Sequence, residues 1–417
     1  MVYLDYSATS PLLPEAKIAM LNAMELVGNA STLHTPGHLA MNIVEEAREE
    51  IAKLINAEPS EILFTSGGTE SNNTVTNIFA GQNIAVSAIE HPSLLESAKL
   101  RCKTTVIPVD KSGLASLAGE TELCVPSSDN GSVCDGLARN DGPRPERGMQ
   151  SYCSTGQALY SVMLANNEIG TVNDIKKLAA QAHKNGALFH TDATQALGKI
   201  KIDVKDLDVD YMTISAHKIG GPIGIGALYI KKNAPFKPLI IGGHQEKGRR
   251  AGTYQTVNIA GFGAAAKYAN DHKTWEIFET KIRPLRDLLA KRILSEIPYS
   301  SSNTPTKKSL PNILNCSFEA AEGESIQLYL DAEGDIIVST GSACASGDGK
   351  PSHVIMATRN DAEIAHSSVR FSFGLNSTEQ DVEHVMKYLP NIVKRLQGIS
   401  TLKAGKIKKE DSYYGKR

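Results

Sequence analysis

The chain has 417 residues, 41% of them hydrophobic and 22% charged, which is enough apolar material for a core that divides in two, since single cores stop growing near roughly 250–300 residues. A formal net charge of −2 offers no basic footprint for nucleic acid or an anionic membrane, and no run of about 18 apolar residues offers a membrane span. Six cysteines, at 102, 124, 134, 153, 316 and 344, form no CxxC pair, so neither a zinc site nor a disulfide framework is expected. Met1-Val-Tyr-Leu-Asp-Tyr6 lacks the basic segment and apolar stretch of a secretory signal, and the expected address is the cytoplasm.

In chain order, an extended opening, Tyr3 to Pro14, leads into a helix over 15–26 that starts just after Pro14. Gly28-Asn-Ala-Ser31 reads as a loop. His34 and His38 have Pro36 and Gly37 between them, which argues against a shared helical face of metal ligands. From Leu39 the apolar positions Ile43, Ala47, Ile51 and Leu54 recur at helical spacing, predicting a long amphipathic helix. Six apolar runs come next, at 62–65, 84–88, 158–165, 187–191, 211–215 and 226–230, separated by helical patterns such as the one Asp174 caps. This is the signature of α/β architecture with a parallel sheet buried on both faces.

Residues 124–157 interrupt the pattern with Gly, Pro, Ser, Asn and Arg, and read as a surface excursion or, by composition, a disordered insert. Gly261-Phe-Gly-Ala-Ala-Ala266 matches a GxGxxA string but follows no buried strand, so close helix packing is the better reading than dinucleotide binding. Later runs, a strand pair near 313–317 and 335–339 and another at 369–373, predict a smaller α+β domain. The expected division is a large domain over 15–250, a small one from 1–14 and 251–400, and a basic, mobile tail at 401–417.

The residues just after each run carry the chemistry. The first run ends in Ser66-Gly-Gly-Thr-Glu70, the second in Glu90-His91, the third in Asn166-Asn-Glu168, the fourth in Asp192-Ala-Thr-Gln195 and the fifth in His217-Lys218. Open α/β sheets bind ligands at the carboxyl ends of their strands, so one site collects these residues. Gly67-Gly68-Thr69, between a strand and a helix, suits a single phosphate, because glycines let amides approach and a helix N-terminus is partly positive. A lysine amine at Lys218, a carboxylate at Asp192 and that phosphate cradle together meet the needs of pyridoxal 5'-phosphate: an amine for its aldehyde, a partner for its pyridine nitrogen, and an anion site. Cys344, in Ser339-Thr-Gly-Ser-Ala-Cys-Ala-Ser-Gly347, has only small neighbours and reads as an accessible nucleophile, in contrast to Cys316 in an apolar strand.

The segments Tyr3-Leu-Asp-Tyr-Ser-Ala-Thr, Thr65-Ser-Gly-Gly-Thr-Glu-Ser-Asn, Asn166-Asn-Glu-Ile-Gly, His190-Thr-Asp-Ala-Thr-Gln, Ser215-Ala-His-Lys and Gly341-Ser-Ala-Cys resemble the cysteine desulfurases of the class V aminotransferase family. The stretch from Cys344 to His366-Ser-Ser-Val-Arg-Phe-Ser is similar to the iron-sulfur-cluster type with a long catalytic loop. The resemblance implies the type I fold of pyridoxal-phosphate-dependent transferases, a mostly parallel central sheet with a smaller α+β domain. It also implies roles. Lys218 carries the cofactor, Asp192 meets its pyridine nitrogen, Gln195 its ring hydroxyl, and His91 stacks on the ring and moves protons. Asn167 contacts cofactor or substrate, while Gly68, Thr69, Ser215 and His217 hold the phosphate, joined by Thr253 from a second subunit of a homodimer. Arg370 clamps the carboxylate of L-cysteine with help from Asn29, and Cys344 takes the sulfur as a persulfide for an acceptor or iron-sulfur scaffold protein. Two other readings stand beside this one: a selenocysteine lyase or other β-eliminating relative, and an impaired paralogue that scaffolds sulfur transfer.

Overall fold

The computed structural model describes residues 1–117, 157–341, 351–401 and 405. Cys344, most of the 124–157 insert and nearly all of the basic tail lie outside the described residues. The chain opens with a two-residue strand β1 (Val2–Tyr3), then helices α1 (Pro14–Met24) and α2 (Thr35–Ile55). Pro36 sits in the first turn of α2 and does not break it, because a first-turn proline lacks only an amide that has no helical acceptor anyway. His34 is the N-cap, its Nδ1 accepting from the Gly37 amide at 3.2 Å.

Strands and helices then alternate: β2 (Ile62–Thr65), α3 (Gly68–Ile78), β3 (Asn83–Ser87), α4 (Pro92–Arg101), β4 (Lys103–Ile107) and β5 (Leu159–Ser161). Next come α5 (Ile175–Lys184), β6 (Leu188–Asp192), α6 (Val204–Leu207), β7 (Tyr211–Ser215) and β8 (Gly226–Ile230). These strands form a seven-stranded sheet in the order β2-β8-β7-β6-β5-β3-β4. All pairs are parallel except those of β8, which runs antiparallel to both β2 and β7. Two features depart from the sequence reading. The reversed β8 explains why its run ended in no reactive residue: its carboxyl end lies at the opposite edge. The edge strand β4, Lys-Thr-Thr-Val-Ile, is only half buried and has no apolar run by which to announce itself.

Helix α7 (Thr256–Asp271) lies against α1 and α2. A Cβ on Gly263 would stand 2.5 Å from the Cβ of Ala47, so the Gly-rich string serves close helix packing, as expected. Because Ile259, Phe262, Ala266 and Ala269 join the core around the sheet, that core reaches past residue 250.

The remaining elements are α8 (Thr274–Ile277), α9 (Arg283–Glu296), β9 (Ser300–Ser302), β10 (Ile313–Phe318), α10 (Gly323–Gly334) and β11 (Ile336–Ile337). After them come α11 (His353–Arg359), α12 (Ala362–His366), β12 (Ser368–Ser372) and α13 (Glu379–Ile399). A second core gathers Leu4, Ile293, Phe318, Leu330, Phe371 and Leu389 around a three-stranded sheet, β12-β10-β9. The predicted pairing of 313–317 with 335–339 does not form. Instead β10 takes β9 and β12 as antiparallel neighbours, and β11 pairs in parallel with β1, tying the chain's start into this second layer. Among the described residues, no helix is long and apolar enough to cross a membrane.

Candidate active site

Because β2, β3, β5, β6 and β7 run parallel, their carboxyl ends share one edge of the sheet. There they open into a cavity of about 850 Å³. Gly68, Thr69, His91, Asn167, Asp192, Gln195, Ser215, His217, Lys218 and Arg370 all line it. Two of the predicted residues do not: Asn29 is exposed in the loop before α2, its Oδ1 accepting from the Ser31 amide at 2.9 Å, and Thr253 is exposed in the loop before α7. One chain alone therefore does not bring either to the cavity.

Lys218 lies just after β7, and its Nζ donates to the carbonyls of Ser7 at 2.5 Å and Ala8 at 2.7 Å. The N-terminal segment thus lies across the strand ends and closes the cavity floor. Asp192 at the end of β6 accepts from the Thr194 amide at 2.9 Å on one oxygen and from Asn72 Nδ2 at 2.9 Å on the other. A carboxylate has about four acceptor sites, so capacity remains for a ring N–H. Behind it, His190 bridges Ser161 at 2.7 Å and Thr213 at 3.1 Å, and burial lowers its imidazolium to about 4, so it stays neutral.

His91 caps α4 and accepts from the Ser93 amide at 3.1 Å through Nδ1, which places the proton of its neutral ring on Nε2. Burial lowers its pKa, helped by the charges of Lys218 and His353 and opposed by Asp192. His217 is brought down to about 4 by burial, Lys218 and Lys199. Asn166 turns the chain after β5: its Oδ1 accepts from the amides of Glu168 and Ile169 at 2.9 Å, an Asx turn that aims Asn167 and Glu168 at the cavity. Arg370 on β12 donates to the Asn167 carbonyl at 3.0 Å and to Asp5 at 2.8 Å.

Several lining residues escaped the sequence reading. Asn72, one turn into α3 from Thr69, supports Asp192, and that helical spacing was a usable signal. Glu168 stood in a quoted motif without a role; it is buried, accepts from Ser352 Oγ at 2.5 Å, and burial raises its carboxyl to about 7. His353 on α11 reaches the Glu90 carbonyl at 3.0 Å and had no sequence signal. Among the described residues, no group of three His, Cys, Asp or Glu side chains is placed to hold a metal.

The arrangement fits pyridoxal 5'-phosphate. The N-terminus of α3 presents first-turn amides at Gly68 and Thr69, and a Cβ on Gly67, whose φ is 145°, would meet nothing within 4 Å, leaving an open approach for an anion. Asp192 with its spare acceptor capacity, the Lys218 amine and the Gln195 amide line the same cavity, the carboxylate, amine and polar donor that the ring and aldehyde of that group require.

A fold and a site of this kind define the class V aminotransferases, and the chain belongs to that family: the model of aminotransferase class-V matches residues 2–124 and 139–385. The interruption at 125–138 falls inside the expected insert. Among its relatives, a cysteine desulfurase IscS of Dictyoglomus turgidum is 40% identical over 96% of this chain and 97% of that protein. A cysteine desulfurase of Gluconacetobacter diazotrophicus is 39% identical over 96% and 95%. The crystal structure of a NifS-like protein from Rickettsia africae superposes with a TM-score of 0.80 at 30% identity, covering 94% of this chain and 99% of that one.

Proposed function

We propose that this chain is a pyridoxal-phosphate-dependent cysteine desulfurase, converting L-cysteine to L-alanine and passing the sulfur through a persulfide on Cys344 to an acceptor protein. The observation that carries this reading is the convergence of Lys218, Asp192 and the Gly68–Thr69 cradle in one cavity whose wall also includes Gly341, three residues before Cys344 in the chain. When bound, pyridoxal 5'-phosphate supplies an aldehyde for the substrate amine and a ring that accepts an electron pair.

The protein's residues do the rest. Gly68, Thr69, Ser215 and His217 hold the phosphate, Asp192 the pyridine nitrogen and Gln195 the ring hydroxyl, while the His91 ring packs on the cofactor. Arg370, which lines the cavity with Asn167 beside it, supplies the guanidinium for the substrate carboxylate. Lys218 Nζ takes the α-proton. Cys344 Sγ, as thiolate, attacks the substrate sulfur; the S–Cβ bond breaks with its pair left on the carbon side, a proton joins Cβ, the α-proton returns from Lys218 Nζ to Cα to give alanine, and the sulfur stays on Cys344 as the persulfide.

A homodimer completes the site in this reading, with Thr253 and the Asn29 loop serving the partner's cavity or its rim. Ile18, Leu21 and Met24, exposed along one face of α1, supply apolar surface for such a contact. The expected acceptor is a sulfur carrier or iron-sulfur scaffold in the cytoplasm. The division into a large unit over 15–250, extended by α7, and a small one built from both ends of the chain belongs to the same proposal.

The test is to incubate the purified protein with pyridoxal 5'-phosphate and L-cysteine, measure alanine, trap the persulfide by alkylation and map it by mass spectrometry. A persulfide on Cys344, lost with retained colour in Cys344→Ser, is the expected result. Alanine release with no persulfide on any cysteine would instead indicate lyase chemistry, and failure to take up cofactor would remove both readings.

A further inference from the structure

Lys199 is a lysine buried in the protein interior, 2% exposed, in the turn after Gly198. Lysine is almost never fully buried without a partner, so its surroundings need a reason. Its Nζ donates to the Gln195 carbonyl at 3.0 Å and reaches the Gln195 Oε1 at 3.4 Å. The other end of that amide, Nε2, donates to the Ser7 carbonyl at 2.9 Å, and Ser7 O is the same oxygen that accepts from Lys218 Nζ at 2.5 Å. Lys199 and Lys218 also line a second, smaller cavity of about 70 Å³, on the side formed by Tyr268, Thr274 and Phe373.

We propose that Lys199 is a positioning residue: by donating to Gln195 it holds that amide in one orientation beside Lys218. The proposal rests on the reading of the main cavity as a cofactor site. An amide is nearly symmetric in shape, and either end fits the space; only its partners decide which end faces which way. With Lys199 as donor, Oε1 must face it and Nε2 must face Ser7 O. The flipped amide would set oxygen against the Ser7 carbonyl and N–H against the lysine's own N–H bonds, losing both contacts in a buried setting. Nε2 has a second hydrogen, and Gln195 lines the cavity, so a fixed amide offers a fixed donor to whatever oxygen the cavity holds. Burial, with the charges of Lys218 and Arg370 nearby, lowers the Lys199 ammonium to about 7.

The experiment compares the full chain with Lys199→Met, which keeps the length and apolar stem but removes the donor. After loading with pyridoxal 5'-phosphate, the pH midpoint of the visible absorbance is expected to move by about one pH unit or more, and kcat to fall by about tenfold with KM for cysteine nearly unchanged. A purely structural role would lower stability and leave that midpoint alone. Lys199→Arg, which retains N–H donors, is expected to restore the midpoint. Should the Met variant fail to accumulate, Lys199→Gln, polar but too short to reach both Gln195 oxygens, is expected to show the same shift. Crystal structures of the cofactor-free wild type and variant give a readout independent of activity: the Gln195 amide, released at Oε1, should shift from its wild-type position. An unmoved Gln195 or an unmoved midpoint overturns the proposal. If the wild-type chain gains no absorbance, the cofactor reading fails, and the crystallographic comparison still decides the role of Lys199.

Discussion

Glu90, between β3 and His91, is fully buried, and its carboxyl is the most exacting test of the site's electrostatics. Its Oε1 accepts from Ser87 Oγ at 2.5 Å and from the Met163 amide at 2.6 Å, while Oε2 is buried with no partner among the described residues. Burial raises its pKa from 4.5 to about 8; the two hydrogen bonds oppose the rise and the charge of Asp192 adds to it. The folded protein therefore keeps a proton that the unfolded chain has released. Stability falls as pH rises from about 4.5 to about 8 and is level beyond. At roughly 1.4 kcal/mol for each pH unit, the whole fall is on the order of 5 kcal/mol. Glu90→Gln keeps the shape and the acceptor but cannot ionise. Urea unfolding of the cofactor-free wild type and variant between pH 5 and 9 checks this. The difference between the two curves is expected to move in favour of the Glu90→Gln variant by several kcal/mol across that window, whatever constant offset the amide introduces. Parallel curves would refute the assignment of a protonated Glu90 and with it the dryness of the interior around its carboxyl.

Two further predictions concern the scaffold. Arg48 and Glu246 form a bidentate pair at 2.7 and 2.9 Å with side chains 7% and 2% exposed, and Glu246 sits in a left-handed turn with φ 51°. Arg48→Met strands a buried carboxylate and is expected to cost about 3–5 kcal/mol in chemical denaturation, much of it recovered by adding Glu246→Gln. Gly263→Val places a branched side chain where Ala47 Cβ would be 2.5 Å away; a loss of about 1–3 kcal/mol is expected, with partial rescue by Ala47→Gly.

Much of the site was legible because parallel strands deliver their carboxyl ends to one edge. Five short polar segments after five apolar runs were enough to assemble Lys218, Asp192, His91, Asn167 and the Gly68–Thr69 turn from the chain alone. Legibility ended where periodicity is silent. The edge strand β4 is too polar to register, and β11 chose β1 over β10 because pairing partners are set by the packing of distant chain segments. Asn29 and Thr253 came from family resemblance alone, and one chain does not bring them to the cavity.

The Gly-Gly turn, the strand-end lysine, the carboxylate three residues before Gln195 and the cysteine among small residues are local patterns, and the sequence by itself determined them. Tertiary structure alone decided how they are held. The Ser7 and Ala8 carbonyls meet Lys218 from more than 200 positions away, and the buried Lys199 donates to both oxygens of Gln195. The physical reason is that spacing specifies which residues share a strand or a turn, whereas the partners of a buried polar atom, and hence its protonation, depend on which segments pack around it.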